Sequence, residues 1–382
     1  MKMLPKLYQS HLKSQFSPAE YLLLQILINL LQSIKKVSLE SLATALPLTV
    51  LFESRRKKIQ RFLSVKSLNI ETLWFPMISM WLTNQLPANQ VVYLAIDRTT
   101  WGRINLLVIS LIWNRRGIPI YFELLPKLGN SDLAEQQVAF RKVFPIFNQY
   151  KIVVLGDREF CSLSLGNWLR GEKVYFCLRL KKDTFIQRED KIWQELNDLG
   201  LKPGVSFYLQ GMKITKSQKI EGFNIACKWK RKYLGIAPDE GWFILTNLET
   251  LADAIKSYRK RFSIEEMFRD FKSGGYNLEA TNVTGERLIS LILLIAIAYS
   301  SATIFGEKIK RMGVQKYIGR LKEYGRTERR HSSFYIGLYG QNWISFSQSC
   351  GDLITELMRL NPNKQRYYQR GQRAMELILS AS

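Results

Sequence analysis

The chain has 382 residues, of which 46% are hydrophobic, so it can bury two or three domain cores, or one core with a long insertion, and a disordered chain is excluded. Lys and Arg number 56 against 32 Asp and Glu, and the net charge of +24 exceeds what solubility requires. A surface this basic attracts polyanions, so we expect a nucleic-acid partner, with a membrane surface or a merely well-solvated basic protein as alternatives.

The first predicted region, residues 18–85, is helical, because apolar residues recur at helical spacing in SPAEYLLLQILINLLQSI and the segments after it. The two helices that follow Ser38 resemble a helix-turn-helix, since Ser38 can cap the first helix and Pro47 breaks it. We expect the second helix to bind DNA phosphates, and a plain helical bundle with a solvated basic face is the alternative. Its cations are Arg55, Arg56, Lys57, Lys58 and Arg61.

After Pro87 the pattern changes to that of strands. VVYLAI is a continuous apolar run, typical of a buried central strand, and it ends on Asp97. A hairpin is predicted beside it, and KIVVLG forms another buried strand that runs into Asp157. The predicted order is strands 91–96, 105–113 and 118–125, helix 131–147, strand 151–156, helix 162–171 and strand 173–180.

Residues 182–247 depart from this pattern. Their short runs (VSFYLQ, MKITKSQ, FNIACKWK and GWFILTN) are suited to an antiparallel sheet. Next, Thr250 and Asp253 offer a capping box. An unbroken helix is predicted from there to about Ser273, where two glycines end it.

The remaining residues, 283–382, are predicted to be helical. Within them, LISLILLIAIAYSSATIF (288–305) approaches the length of a membrane span. We expect a buried core helix and no membrane partner, because the segment stands alone and carries several hydroxyl groups. A basic membrane-associated protein, with this segment in lipid, is the alternative.

One face of the helix near residue 265 gathers an unusual set of side chains. At about 100° per residue, Tyr258, Arg261, Glu265 and Lys272 project within an arc about 60° wide, whereas Glu266 points about 100° away from Glu265. The alternative is an exposed helix with ordinary pairing between Arg261 and Glu265, which is worth only tenths of a kcal/mol.

Two carboxylates are expected at one edge of the sheet. Asp97 and Asp157 each close an apolar strand, where a charge is costly unless it has a partner. If the two strands are neighbours, both side chains emerge at the same end. Glu265 would then complete an oxygen-rich pocket suited to Mg²⁺, and two such ions can drive phosphodiester chemistry. Strand-end aspartates are common, so these residues alone leave the metal site as one of several interpretations.

Three separated motifs carry a family resemblance. The spacing Tyr258-x2-Arg261-x3-Glu265-x6-Lys272 resembles the YREK signature of the insertion-sequence-four family of DDE transposases, relatives of the Tn-five transposase. AIDRTTW (95–101) and GDREF (156–160) resemble that family's two upstream motifs. Three matches in the right order are far more specific than any one of them.

The resemblance implies an α/β fold: an RNase H-like catalytic core with a mixed sheet, interrupted by a mostly β insertion and flanked by helical regions. The implied segments are an N-terminal helical DNA-binding region (1–86), the first part of the core (87–181), the insertion (182–247), the second part of the core with the Glu265 helix (248–300) and a C-terminal helical region that helps to dimerise (301–382).

The resemblance also implies the roles of the site. Asp97, Asp157 and Glu265 would bind Mg²⁺, with Mn²⁺ able to substitute, and would catalyse cleavage at phosphorus. Tyr258, Arg261 and Lys272 would hold the cleaved DNA end. Arg158 matches an arginine of the family, and either contacts DNA or pairs with a nearby acid.

The implied function is DNA transposition. Its substrates would be double-stranded DNA: the terminal inverted repeats of a transposon and a target. Cleavage would expose a 3′-hydroxyl, pass through a hairpin and end in strand transfer by cut-and-paste, with a homodimer in a synaptic complex. We expect a cytoplasmic, nucleoid-associated bacterial protein. Its four cysteines are too far apart for CxxC metal spacing, and we expect them to be reduced thiols.

Two alternatives share the same residues. One is an RNase H-like DNA nuclease that cuts without rejoining. The other is a catalytically silent protein that binds transposon ends, against which the intact trio of carboxylates argues.

Overall fold

The computed structural model describes residues 4–187, 191–215, 220–231, 240–325 and 330–380. The chain forms two compact units: the described residues of Met1–Met77 with those of Asp270–Ser382, and Ile78–Arg269. The five segment boundaries expected from the sequence stay predictions. Parts of the expected insertion (188–190, 216–219 and 232–239) lie outside the described residues.

The α-helices of the described residues follow in chain order. They are α1 (Lys6–Gln15), α2 (Pro18–Ile34), α3 (Leu39–Ala45), α4 (Phe52–Phe62), α5 (Phe75–Gln85), α6 (Leu133–Val143), α7 (Leu163–Gly171), α8 (Leu251–Arg259), α9 (Phe262–Phe271), α10 (Gly285–Arg311), α11 (Ser333–Ser349), α12 (Gly351–Arg359) and α13 (Gln365–Ser380).

The unit Ile78–Arg269 is built on a ten-stranded mixed sheet, ordered β3-β2-β1-β4-β5-β10-β9-β8-β6-β7. Its strands are β1 (Val91–Trp101), β2 (Ile104–Trp113), β3 (Arg116–Leu124), β4 (Lys151–Gly156), β5 (Tyr175–Arg179), β6 (Phe185–Gln187), β7 (Trp193–Glu195), β8 (Ser206–Ile214), β9 (Ile220–Lys228) and β10 (Trp242–Thr246).

The first five strands confirm the expected RNase H-like core. β1, β2 and β3 are antiparallel neighbours, and β4 and β5 continue the sheet in parallel from β1. The predicted hairpin turns at Asn114 and Arg115, which both have positive φ, as a two-residue turn between twisted strands requires. Pro119 is tolerated in β3 because β3 is an edge strand.

The described strands between β5 and β10 in the chain confirm a mostly β insertion. β10 pairs with β5 on one side and with β9 on the other, so these strands extend the core sheet rather than forming a separate one. The separate runs VSFYLQ and MKITKSQ both contribute to the single strand β8, which covers Ser206–Ile214. An irregularity lies between Leu209 and Met212, where Gly211 has a φ of 62°.

The unbroken helix predicted over residues 250–273 is wrong. Thr250 caps α8 by accepting the N–H of Asp253, as expected, but α8 ends at Arg259 and α9 begins at Phe262. Around the break, the N–H groups of Arg261 and Ile264 bond to carbonyls three residues back. This tighter spacing interrupts the α-helix at residues 260 and 261. Arg261 nevertheless lies beside two other residues of the expected face: its guanidinium carbon is 5.8 Å from the centre of the Tyr258 ring, and it donates to Glu265.

The other compact unit is helical, and α10 is its core. An eighteen-residue window of α10 has a mean hydropathy of 2.3 and is 89% buried, as expected of a core helix. Among the described helices, α10 is long and apolar enough to cross a membrane, and so is the bent pair of α2 and α3 taken together. Gln32 of α2 donates to the carbonyl of Ala298 at 3.0 Å. α11 lies against α10 so closely that a Cβ at Gly306 would overlap the Ser333 carbonyl.

Candidate active site

Both strand-end aspartates emerge at the same edge of the sheet. β1 and β4 are parallel, and their pairing ends at Ala95 and Leu155. Asp97 and Asp157 each lie two residues farther along the chain. The expectation that the strand ends at Asp97 is corrected: β1 continues to Trp101, because its antiparallel pairing with β2 persists there.

Backbone groups hold the two aspartates. Asp97 Oδ1 accepts the N–H of Arg98 at 2.7 Å, and its side chain is 14% exposed. Asp157 Oδ1 accepts the N–H of Glu159 at 2.9 Å. Each carboxylate is therefore oriented by the chain that immediately follows it.

Arg261 bridges two of the predicted catalytic carboxylates. Its Nη2 donates to Glu265 Oε1 at 2.5 Å, and its Nη1 lies 3.7 Å from Asp97 Oδ2. The Arg261 side chain is 6% exposed and that of Glu265 is 48% exposed. The guanidinium is thus enclosed beside the acids, and the predicted contact of Arg261 with DNA stays a prediction.

The electrostatics of Asp97 link all three acids. Burial raises the pKa of Asp97 to about 7, although the Arg98 N–H opposes the shift. The negative charges of Asp157 and Glu265 raise the Asp97 pKa further, and the Arg261 guanidinium lowers it. Like charges that act on one carboxyl in this way disfavour its ionised form unless a cation compensates.

The donor chemistry fits a divalent ion, but the arrangement is not a formed ion site. Carboxylate oxygens are the ligands that Mg²⁺ prefers. Within the described residues, however, no three His, Cys, Asp or Glu side chains are grouped so that they could hold a metal ion. The Arg261 guanidinium is the cation that Asp97 and Glu265 share, so joint metal binding by the acids requires it to move.

The other two residues of the expected helical face differ in their surroundings. Tyr258 is fully buried, its ring packs edge-on against Trp242, and burial raises its pKa to about 12. Lys272 follows α9 and pairs with Glu279 at 2.7 Å. Their DNA contacts stay predictions.

Arg158 pairs with an acid, which is one of the two roles left open for it. Its Nη2 contacts Glu240 Oε1, and Arg179 Nη2 approaches the same oxygen at 2.6 Å. The two guanidinium groups lower the pKa of Glu240, with the hydrogen bond from Arg158 as the largest cause. Neither Arg179 nor Glu240 was predicted as a site residue: Arg179 lies one position before the end of the predicted strand 173–180, and nothing in the sequence marks Glu240.

A second missed pair lies beside the two aspartates. Arg98 donates from Nε to Glu159 Oε1 at 2.7 Å and from Nη2 to Oε2 at 3.0 Å. The same guanidinium donates from Nη1 to Asn105 at 2.9 Å. The available signal was their position, since both residues lie within AIDRTTW and GDREF.

The predicted basic helix is α4, and its cations fall into two groups. Arg55 donates to the carbonyls of Thr44 and Leu46, and Arg56 pairs with Glu40 at 3.4 Å. The other three cations are exposed and project within an arc of about 100°, centred about 120° from the buried residues Ile59 and Phe62. They are Lys57, Lys58 and Arg61.

One protein family matches the part of the chain that carries two of the three acids. A model of the Transposase DDE domain family matches residues 109–300, which include Asp157 and Glu265. No curated protein matches the chain.

Two solved structures are similar. A piggyBac transposase synaptic complex with hairpin DNA is 13% identical with a TM-score of 0.48, over 98% of this chain and 82% of that one. An Argonaute of Marinitoga piezophila in complex with guide RNA and target DNA is 14% identical with a TM-score of 0.23, over 58% and 33%. The family model spans half of the chain, and the protein therefore belongs to the DDE transposases.

Proposed function

We propose that this protein is a transposase of the insertion-sequence-four type with a YREK signature. It would cleave DNA at transposon ends and transfer the freed strands into a target, by cut-and-paste with a hairpin intermediate. The observation that carries the proposal is geometric: Asp97 and Asp157 leave two adjacent parallel strands at the same edge of the sheet, and Arg261 joins Asp97 to Glu265. Members of the DDE family generally use divalent metal ions.

Asp97, Asp157 and Glu265 are the residues that would hold the ions, Mg²⁺ by preference and Mn²⁺ as a substitute. Bound ions would supply Lewis-acid activation of the attacking oxygen and stabilise the leaving oxygen at phosphorus. The chain's own contribution is orientation: the Arg98 and Glu159 N–H groups hold the two aspartates, and α9 carries the glutamate.

Arg261 would change partners in this function. Its guanidinium neutralises Asp97 and Glu265, and a guanidinium binds phosphate oxygens as readily as carboxylates. A side chain released from the two acids would then be free to bind the DNA backbone. Tyr258 and Lys272 would support the same DNA end, and the exposed cations of α4 would bind the flanking duplex.

A homodimer is part of the proposal, with α12 as the candidate surface. No residue of this helix is buried, and Leu353 and Leu357, one turn apart, are 74% and 53% exposed. Leu360 is 65% exposed beside them. An apolar stripe of this kind is typical of a surface that a partner covers, and a second copy is the occupant that a synaptic complex requires.

A catalytically silent end-binding protein is the second candidate. The observation that favours it is the ion pair of Arg261 with two of the three acids, Asp97 and Glu265.

One experiment tests both candidates. The wild-type chain and Asp97→Ala are incubated with the DNA that flanks the gene, Mg²⁺ and a target plasmid, and nicks, hairpins and joined products are measured separately. The transposase proposal expects all three products from the wild type, and expects Asp97→Ala to bind the ends without cutting. Breaks without joints would indicate a nuclease. End binding by the wild type with no Mg²⁺-dependent cleavage would indicate the silent protein.

A further inference from the structure

Arg158, Arg179 and Glu240 form a cluster outside the carboxylate trio, and we propose that it is a phosphate-binding site for the DNA backbone that Glu240 masks when no DNA is bound. The inference deepens the proposed function and rests on it. Arg179 and Glu240 have no role in that function so far.

The two arginines lie at the edge of the sheet where the aspartates emerge. β4 and β5 are parallel, with Gly156 opposite Leu178, so Asp157 and Arg158 continue from β4 beside Arg179 at the end of β5. The charges of Arg179 and Asp157 both act on the buried hydroxyl of Tyr258. A DNA strand that reaches the acids would therefore pass the two arginines.

The geometry is that of an anion site. Both guanidinium groups converge on one oxygen, Glu240 Oε1, through their Nη2 atoms. Planar guanidinium groups recognise a phosphate oxygen with the same donors that they use for a carboxylate. The Nε atoms of Arg158 and Arg179 are buried and have no hydrogen-bond acceptor among the described residues, so each guanidinium has a donor left to satisfy.

Glu240 is suited to a displaceable occupant. Its side chain is 42% exposed, so the carboxylate can leave the arginines without opening the core. With the glutamate in place, the cluster has one surplus positive charge, and with the glutamate withdrawn it has two. A phosphate would therefore compete with an internal carboxylate, and the apparent affinity for DNA is lowered by the free energy of displacing it.

A matched cluster on the same unit supplies the control. Glu266 is likewise shared by two arginines: Arg116 Nη1 lies 2.6 Å from Oε2, and Arg269 Nη2 contacts the same oxygen. Arg116, however, begins the edge strand β3, on the other side of β1 from β4 and β5. Glu266→Gln therefore removes a carboxylate that is also shared by two arginines, one of which lies on the other side of β1 from Arg158 and Arg179.

The test measures DNA binding without cleavage. Fluorescence anisotropy of a fluorescein-labelled DNA duplex is recorded in EDTA over a series of NaCl concentrations, with melting temperatures as a check on folding. We expect Glu240→Gln to tighten binding roughly threefold to tenfold, because a competing charged partner is removed. Glu266→Gln should leave the affinity unchanged.

The arginine variants provide the second readout. Arg158→Gln and Arg179→Gln should each reduce the slope of log K against log[salt] by about one, because one phosphate contact is lost. Arg179→Lys retains the charge, so it should keep the slope while binding more weakly, and it remains informative if Arg179→Gln does not fold.

Unchanged binding by folded Glu240→Gln, an equal gain in Glu266→Gln, or an unchanged salt slope in the arginine variants would overturn the inference. Failure of the proposed function has a different signature, because a chain that never cleaves in Mg²⁺ can still show the Glu240→Gln gain in EDTA. The binding assay can therefore refute this inference without refuting the proposed function, and the cleavage assay can refute the proposed function without refuting this inference.

Discussion

Arg98 and Glu159 form a two-point ion pair that ties together the chain segments following the two aspartates. The Nε and Nη2 donors of Arg98 reach the two carboxylate oxygens of Glu159 at 2.7 and 3.0 Å. Their side chains are 15% and 17% exposed, so the pair is largely shielded from solvent. The pair is therefore suited to hold the carboxyl ends of β1 and β4 in register.

Removal of this pair should destabilise the fold and disorder the aspartates. We expect Arg98→Gln to lower the free energy of unfolding by about 2 kcal/mol, because it leaves Glu159 charged, shielded and without its two-point partner. Chemical denaturation of single and double variants measures the coupling. Arg359→Gln, which breaks a pair exposed by 70% and 54%, is the control and should change little. If Arg98→Gln and Arg359→Gln lowered the free energy of unfolding equally, the Arg98 pair would contribute no more to stability than an exposed ion pair.

Arg261 should compete with divalent ions. In EDTA, Arg261→Gln is expected to lower the melting temperature, because Asp97 and Glu265 lose the cation that they share. Added Mn²⁺ should then raise the melting temperature of Arg261→Gln more than that of the wild type, since no guanidinium has to be displaced. Differential scanning fluorimetry over a Mn²⁺ series provides the readout. A variant that loses its response to Mn²⁺ would mean that Arg261 supports ion binding instead of competing with it.

Asp97 should make the stability of the metal-free protein depend on pH. Its pKa of about 7 in the folded chain exceeds the ordinary value of 3.8, so between these pH values the folded state binds more protons than the unfolded state. Stability is therefore expected to fall as pH rises from about 4 to 7, by at most about 4 kcal/mol.

Asp97→Asn isolates this contribution. In EDTA the variant should be more stable than the wild type at pH 8, and the difference should vanish at about pH 3, below the ordinary pKa, where Asp97 is mostly protonated in both states. Urea denaturation at the two pH values measures the difference. The same gain at both pH values would show that ionisation of Asp97 is not its cause.

The cations of α4 should separate into DNA ligands and structural residues. Lys58→Gln is expected to reduce the salt slope of DNA binding by about one, because its side chain is exposed and one phosphate contact is lost. Arg55→Gln should instead cost about 1 kcal/mol of stability, because the hydrogen bonds to the Thr44 and Leu46 carbonyls disappear. Anisotropy and denaturation of both variants measure these effects, and a reversal of the two results would refute the assignment.

Much of the catalytic unit follows from local patterns. The apolar runs that became β1 and β4 were visible because a buried parallel strand has no polar alternation, and the carboxylates stood out against them. The hairpin between β2 and β3 and the cap at Thr250 were likewise visible, since both depend on residues within one turn. Motif spacing, rather than periodicity, supplied the family resemblance.

The candidate site was less predictable. A helical wheel assumes an unbroken helix, whereas the chain turns at Lys260 and Arg261, although Arg261 still lies beside Tyr258 and Glu265 as the wheel predicts. This turn has no marker in the sequence, since neither Gly nor Pro occurs there. Arg261 was expected on a surface that faces DNA, but it is buried beside Asp97.

The sequence by itself determined which acids and bases exist and which strands deliver them to one edge of a sheet, because periodicity and charge are local properties. Only the tertiary structure decided which base neutralises which acid. Arg179 forms an ion pair with Glu240, which is distant from it in the chain. Arg261, at the break between α8 and α9, lies beside Asp97 of β1. Ion pairs of this kind depend on distances of a few ångströms between separate elements, which no local pattern encodes.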